Sequence, residues 1–243
     1  MIVDQIMASE KNAVAKGAGS RLITEACPLC CSTHSDFFHQ DRQREYFRCR
    51  QCALVFVPPC SHLSKAAERS YYELHQNSPL DAGYRTFLER LSLPLLAQLK
   101  PASEGLDFGS GPGPTLSLML EEAGHRVELY DPNYAPDEGV FSRQYDFITS
   151  SEVVEHLRAP GLELKRLWSL LKPGGVLAIM TKRVIDQSAF ARWHYKNDPT
   201  HIVFFSEQTF YWLGKQWQVE PVFYSSDVVF FNNNELLNKA LGP

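Results

Sequence analysis

The feature that most limits what this chain can fold into is a doubled cysteine pair: Cys27 and Cys30, then, after eighteen intervening residues, Cys49 and Cys52. A two-residue gap lets both thiolates of one tight turn take adjacent corners of a tetrahedron, while the stretch between the pairs closes as a small hairpin. This is the spacing of a four-thiolate zinc site. A unit of about 35 residues buries too little apolar surface to fold alone, so the metal would supply much of its folding energy. The plainer alternative is four ordinary buried or redox-active thiols. Cys31 and Cys60 fall outside the spacing and read as bystanders. The pattern predicts a zinc ribbon over residues 23–60, with short β-like runs at 37–38, 46–47 and 54–57, closed by Pro58 and Pro59. Residues 1–22, with Gly17 and Gly19 and no apolar period, read as a flexible tail.

The remaining chain is long enough for a substantial core, and 44% hydrophobic and 12% aromatic residues exclude a disordered polypeptide. No run approaches the ~18 apolar residues of a membrane span, and no apolar signal core opens the chain, so a cytoplasmic protein with no membrane partner is expected. With 24 Lys+Arg against 28 Asp+Glu, a dedicated nucleic-acid binder is disfavoured.

Residues 61–100 read as a helical connector or lid, with Phe87, Leu88, Leu91, Leu95 and Leu99 on one face and Pro94 kinking or splitting the helix. After Pro101 the pattern becomes alternating strand and helix. Strands are expected at 105–108, 127–130, 147–149 and 176–180, with a final pair at 219–224 and 228–231. Helices carry Leu116, Met119, Leu120 and Ala123; Leu164, Leu167, Trp168 and Leu171; and, capped by Ser206, Phe210 and Leu213. Such alternation predicts an α/β fold over residues 101–243, a doubly wound and mostly parallel sheet.

The segment DFGSG at 107–111 sits where a strand hands over to a helix, the ligand crevice of an open α/β sheet. A dinucleotide fingerprint needs a third glycine, yet the sixth position counted from Gly109 is Pro114. Pro112 and Pro114 also lack the N–H groups a pyrophosphate would use, and Asp107 adds negative charge. The loop suits a ligand without phosphate and with positive charge. Twenty residues beyond Gly111, Asp131 ends the next strand, where a carboxylate can accept both hydroxyls of a ribose.

Four motifs in order, DFGSG at 107–111, ELYD at 128–131, DFITSSEVVEH at 146–156 and LKPGG at 171–175, resemble the class I S-adenosylmethionine-dependent methyltransferases over about residues 100–231. The cysteine pairs, the stretch from Arg48 to Pro58, and Tyr71 with Tyr72 resemble a bacterial subgroup with an N-terminal zinc-binding module, whose members often modify sugars or other small metabolites. The resemblance implies S-adenosylmethionine as cofactor and structural Zn2+. It implies that Asp107, Gly109, Ser110 and Gly111 form the cofactor loop, that Asp131 with Pro132 holds the ribose, and that Ser150 and Ser151 flank the methionine end. Arg85 is a further candidate for the cofactor carboxylate. Only fourteen residues separate Asp131 from Asp146, too few for the helix and edge strand the family places there. The expected loss is therefore the third strand and part of the adenine pocket, with Asp137 or Phe141 as partial substitutes.

Methyl transfer needs a base only where the acceptor must lose a proton as it attacks, as a hydroxyl does. His201, in the polar loop 197–201, is the first candidate; the resemblance places a histidine there, and Asp198 could orient it. His156, which follows the third motif, is the second. The expected reaction is methyl transfer to a small, hydroxyl- or sugar-bearing metabolite. The rival is a zinc-ribbon-guided RNA or protein methyltransferase, or a non-catalytic binding module. Arg42, Arg44, Arg48 and Arg50 are its modest electrostatic footprint, diluted by six acidic against seven basic residues within 1–62.

Overall fold

The computed structural model describes residues 25–73 and 78–234. The tail expected over 1–22 lies outside them. The ribbon begins with the knuckle of Cys27 and Cys30 and continues as an antiparallel hairpin, β1 (Ser35–Gln40) and β2 (Glu45–Cys49). Asp41 turns this hairpin by accepting hydrogen bonds from the Gln43 and Arg44 amides. The second knuckle leads to β3 (Val55–Phe56), antiparallel to β2.

Two helices follow, α1 (Lys65–Tyr72), capped by Ser64, and α2 (Ala82–Leu96), capped by Asp81. Pro94 does not split α2. It lies in the last turn, and the helix ends two residues later, so little of the ladder is lost.

The sheet domain contains β4 (Glu104–Phe108), α3 (Thr115–Glu122), β5 (Arg126–Tyr130), β6 (Tyr145–Ser151), α4 (Pro160–Ser169) and β7 (Leu171–Met180). After α5 (Gln187–Ala191) come β8 (Val203–Phe204), α6 (Glu207–Trp217), β9 (Val222–Phe223) and β10 (Val228–Asn232). The six-stranded sheet is ordered β5-β4-β6-β7-β10-β9; its first four strands are parallel, and β10 runs antiparallel to both β7 and β9. This is the mostly parallel α/β fold the sequence predicts. Strand β5 is the sheet edge. Where a third strand would extend it, the chain makes a tight Asp131–Ala135 bridge and a 3-10 turn, Glu138–Ser142. Leu171 opens β7 rather than closing α4, and LKPGG is a bulge inside that strand.

One face of the sheet is covered by α2 and α3, where Leu88, Leu91, Leu95, Leu116 and Leu120 meet Phe147, Ala178 and Phe230. The other is covered by α4 and α6 and is continuous with the ribbon core: Leu54, Val55 and Phe56 share one cluster with Leu164, Leu167 and Phe210. Strand β8 pairs with β3, giving a four-stranded sheet, β1-β2-β3-β8, whose last strand comes from the sheet domain. The first knuckle also rests on α4. A Cβ on Gly161 would stand 2.2 Å from the Leu29 carbonyl oxygen, so only glycine admits this approach.

Candidate functional site

Strands β5 and β6 flank β4 on opposite sides, so the chain leaves β4 in one direction and returns on the other. The carboxyl ends of β4, β5 and β6 therefore frame a switch-point crevice. Gly109 and Gly111 turn here with φ of 81° and 64°. A side chain on Gly109 would collide with Val153, 2.4 Å away, whereas a Cβ on Gly111 would meet nothing within 4 Å. Asp131 is buried: its Oδ2 accepts the Gly111 amide at 3.1 Å, and its Oδ1 accepts the Asn133 and Tyr134 amides at 2.8 and 3.1 Å. Pro132 is exposed beside it. Asp107 is buried against Thr149 Oγ1 at 2.7 Å; burial and then the Asp131 charge raise its carboxyl to about 6 despite that bond.

The Ser110 and Ser150 hydroxyls are buried without partners, while Ser151 meets the Met180 sulfur at 3.5 Å. Two orphaned hydroxyls, open space over Gly111 and two acidic groups suit a cationic ligand that forms polar contacts without phosphate. This donor set fits S-adenosylmethionine. Arg85 lies on α2 and is engaged by Glu122 of α3, tying these helices together. In the short 132–145 segment, Phe141 packs edge-on against Tyr130 at 4.5 Å and under Arg166, and Asp137 caps the Gly139 turn.

Immediately after β6, Glu152 adopts a left-handed backbone with φ 53°, an uncommon state for a non-glycine residue and one that clusters at functional sites. It begins a buried polar cluster. Glu155 is fully buried and accepts hydrogen bonds from Thr181 Oγ1 at 2.9 Å and from the Tyr195 hydroxyl. That hydroxyl also lies 3.3 Å from Glu152 Oε2, while Glu152 Oε1 is buried with no partner. Burial, and then the Glu155 charge, raises Glu152 to about 8; burial raises Glu155 to about 7.

The His156 and His201 rings meet edge-on at 4.7 Å, bringing both predicted histidines together, with Tyr72 of α1 against His156 at 5.3 Å. His201 is buried, its Nδ1 2.7 Å from the Tyr195 carbonyl; burial and then His156 lower its pKa to about 3, so the ring is neutral. Asp198 lies 3.8 Å from His201 Nε2, and its Oδ1 is occupied by the Thr200 amide and hydroxyl. The Tyr195 carbonyl thus holds the Nδ1 side of the His201 ring, while Asp198 faces its Nε2 side.

Glu152, Glu155 and Arg44 had no assigned role in the site from sequence. A doublet of glutamates before a histidine was the available signal for the first two. Arg44 carried none, since its partners are backbone carbonyls about 150 residues away. From the ribbon hairpin, its buried guanidinium donates to the carbonyls of Lys196, Asp198 (3.0 Å), Pro199 (3.1 Å) and His201 (2.9 Å). Arg48 and Arg50 are held by Gln208 and Asp36. Three of the four arginines in the expected footprint thus have partners within the protein.

In the ribbon, Cys27 and Cys52 place their sulfurs 3.5 Å apart, and Cys30 and Cys49 place theirs 3.4 Å apart. All four sulfurs lie within 4.8 Å of one another. Bonds of ~2.3 Å to a tetrahedral zinc put sulfurs roughly 3.8 Å apart, so the set matches a zinc site.

The sequence profile of the family described as "Methyltransferase domain" matches residues 80–222. A ubiquinone biosynthesis O-methyltransferase of Caulobacter vibrioides is 30% identical over 92 residues, 37% of this chain and 29% of that protein. The match thus spans less than a third of that relative's length. Among solved structures, an O-methyltransferase family protein from Burkholderia thailandensis aligns with a TM-score of 0.47 and 15% identity over 68% of this chain and 62% of that one. A possible histamine N-methyltransferase from Thermotoga maritima gives 0.40 and 16% over 68% and 98%. Similarities this loose carry nothing about the chemistry. The profile match is different in kind: it runs from α2 through the glycine loop to β9, more than half of the chain, and it establishes that the protein belongs to the methyltransferase domain family.

Proposed function

We propose that the protein transfers a methyl group from S-adenosylmethionine to a hydroxyl of a small acceptor, with its N-terminal ribbon held by a structural zinc ion. The observation that carries this reading is the switch-point crevice, where a glycine loop lacking phosphate donors faces Asp131 and two orphaned serine hydroxyls. When bound, S-adenosylmethionine supplies a methyl carbon made electrophilic by its sulfonium. Gly109 and Gly111 let the methionine portion approach the backbone, Asp131 accepts the ribose hydroxyls, and Ser110 and Ser150 contribute hydrogen bonds. Asp107 and Asp131 place negative charge beside the sulfonium-bearing ligand.

His156 and His201 would line the acceptor side, and Glu152, ionised above its raised pKa, would take the proton of the acceptor hydroxyl at its unpartnered Oε1. Asp107 and Asp131 would hold the bound cofactor beside the crevice as it supplies the methyl group and keeps the carbon–sulfur bonding pair on sulfur. Asp198 shapes the loop that carries His201. An acceptor of small size is consistent with Arg44, Arg48 and Arg50 of the ribbon having partners within the protein. Calorimetry tests the reading: S-adenosylmethionine should bind and NAD should not, since the loop lacks both the third glycine and the amide donors. Binding of NAD without S-adenosylmethionine would overturn it.

A further inference from the structure

We propose that Glu155, His156 and His201 bind one divalent transition-metal cation, distinct from the ribbon zinc, at the acceptor side of the crevice. One ligating atom from each of the three residues lies within 4.8 Å of the others. Metal bonds of about 2.0–2.2 Å hold ligand atoms no more than ~4.4 Å apart, so a small contraction closes the set around an ion.

The tautomers favour it. His156 Nδ1 lies 3.1 Å from the Thr200 carbonyl and His201 Nδ1 lies 2.7 Å from the Tyr195 carbonyl. A carbonyl can only accept, so each Nδ1 carries a proton and Nε2 is the nitrogen that would ligate; His156 Nε2 already lies 4.0 Å from Glu155 Oε1. Metal-ligating imidazoles are oriented in this way, by a second-nitrogen hydrogen bond to backbone or carboxylate. Glu155 is likewise steadied by Thr181 and Tyr195.

Charge balance points the same way. Two acidic groups are packed together at Glu152 and Glu155; Lys182 lends Glu152 some positive charge, but among the described residues neither forms an ion pair with a lysine or arginine. Burying unpaired carboxylates is costly, and a dication at the centre of the cluster compensates both. Glu152 completes the case: its Oε1 is buried without a hydrogen-bond partner, and its backbone is held in a left-handed conformation beside the set.

The ligand chemistry selects the ion class. Two imidazoles and a carboxylate suit a first-row transition ion, whereas Ca2+ requires six to eight oxygens. Three protein ligands leave positions open, and a cation there both holds the acceptor hydroxyl and lowers its pKa, easing loss of the proton to Glu152. This role rests on the methyltransferase reading; the site itself does not.

The test uses the full zinc-loaded chain and Mn2+, which four thiolates bind poorly. Free Mn2+ is counted by electron paramagnetic resonance, and S-adenosylmethionine binding is followed by calorimetry in parallel. One Mn2+ per chain is expected, with at least tenfold weaker binding in Glu155→Gln and in His156→Ala and an unchanged zinc content. His156 is partly exposed, so His156→Ala keeps the test open if the buried Glu155→Gln fails to fold. No Mn2+ binding by the wild-type protein, or undiminished binding by the folded variants, would overturn the proposal. Mn2+ binding without S-adenosylmethionine binding would leave the cation site standing and remove the methyltransferase reading.

Discussion

Replacing Arg44 with alanine probes the link between ribbon and site most directly. Its guanidinium serves four carbonyls of the loop that carries His201, two of them in buried bonds, to Lys196 and His201, and two in partly buried bonds. In Arg44→Ala the partly buried carbonyls of Asp198 and Pro199 can turn to water, the Lys196 carbonyl keeps the Tyr46 hydroxyl at 3.3 Å, and the buried His201 carbonyl loses its donor. Leaving one buried carbonyl unsatisfied costs about 1–3 kcal/mol, so the total, with the lost contact over Tyr46, is roughly 2–4 kcal/mol. For a chain of this size that corresponds to a Tm drop of roughly 10 °C, at 2–4 °C per kcal/mol. The chemistry should suffer separately, because the loop holds His201 in place: kcat falls about tenfold or more, while S-adenosylmethionine still binds, since no cofactor contact is touched. Arg44→Lys should recover little of this, because one ammonium cannot span four carbonyls. Thermal denaturation, calorimetry and single-turnover kinetics decide the matter. A variant with wild-type Tm and wild-type kcat would refute the claim that the ribbon holds the loop carrying His201.

Other expectations are simpler. Asp131→Ala should weaken S-adenosylmethionine binding by about 100-fold or more, since two hydrogen bonds to a charged group are lost at about 1.5–3 kcal/mol each; unaltered affinity in calorimetry would place the ribose elsewhere. A Cys49→Ser, Cys52→Ser variant should lose its zinc by elemental analysis and, because the ribbon carries Arg44, its turnover too; a full equivalent of zinc retained would disprove the assignment. Asp41 is raised by burial but lowered more by the Tyr46 hydroxyl, the Gln43 and Arg44 amides and Lys196, leaving it at about 2. A folded-state pKa below the ordinary value contributes stability that is present above pH 4 and lost as pH falls towards 2, so the stability advantage of wild type over Asp41→Asn should vanish over that window. Denaturant titrations at several pH values would expose a constant difference, which would contradict the linkage.

Local pattern was enough for several parts of this protein. Helical periodicity and strand alternation located α3, α4, α6 and the parallel strands, because a buried face imposes its period on the sequence. The cysteine spacing predicted a four-sulfur cluster because tight turns bring near neighbours together whatever surrounds them. The glycine loop and Asp131 were also legible, since their geometry is made by one strand–loop–helix unit and the strand beside it. The shortness of the 132–145 segment foretold the missing edge strand, as chain length sets a hard limit on what can be built.

Other features depended on contacts between residues far apart in sequence. Pairing of β3 with β8 joins the ribbon to the sheet domain, and no local period encodes which edge a two-residue strand will choose. Arg44 looked like surface charge because an arginine that bonds backbone carbonyls has no partner side chain to betray it. His156 and His201, forty-five positions apart, became one cluster with Glu155 only when the loop at 196–201 folded back over the end of β6. Short-range sequence order records what each segment can form by itself; burial and hydrogen-bond satisfaction, which act over the whole chain at once, decided which of those segments would share a site.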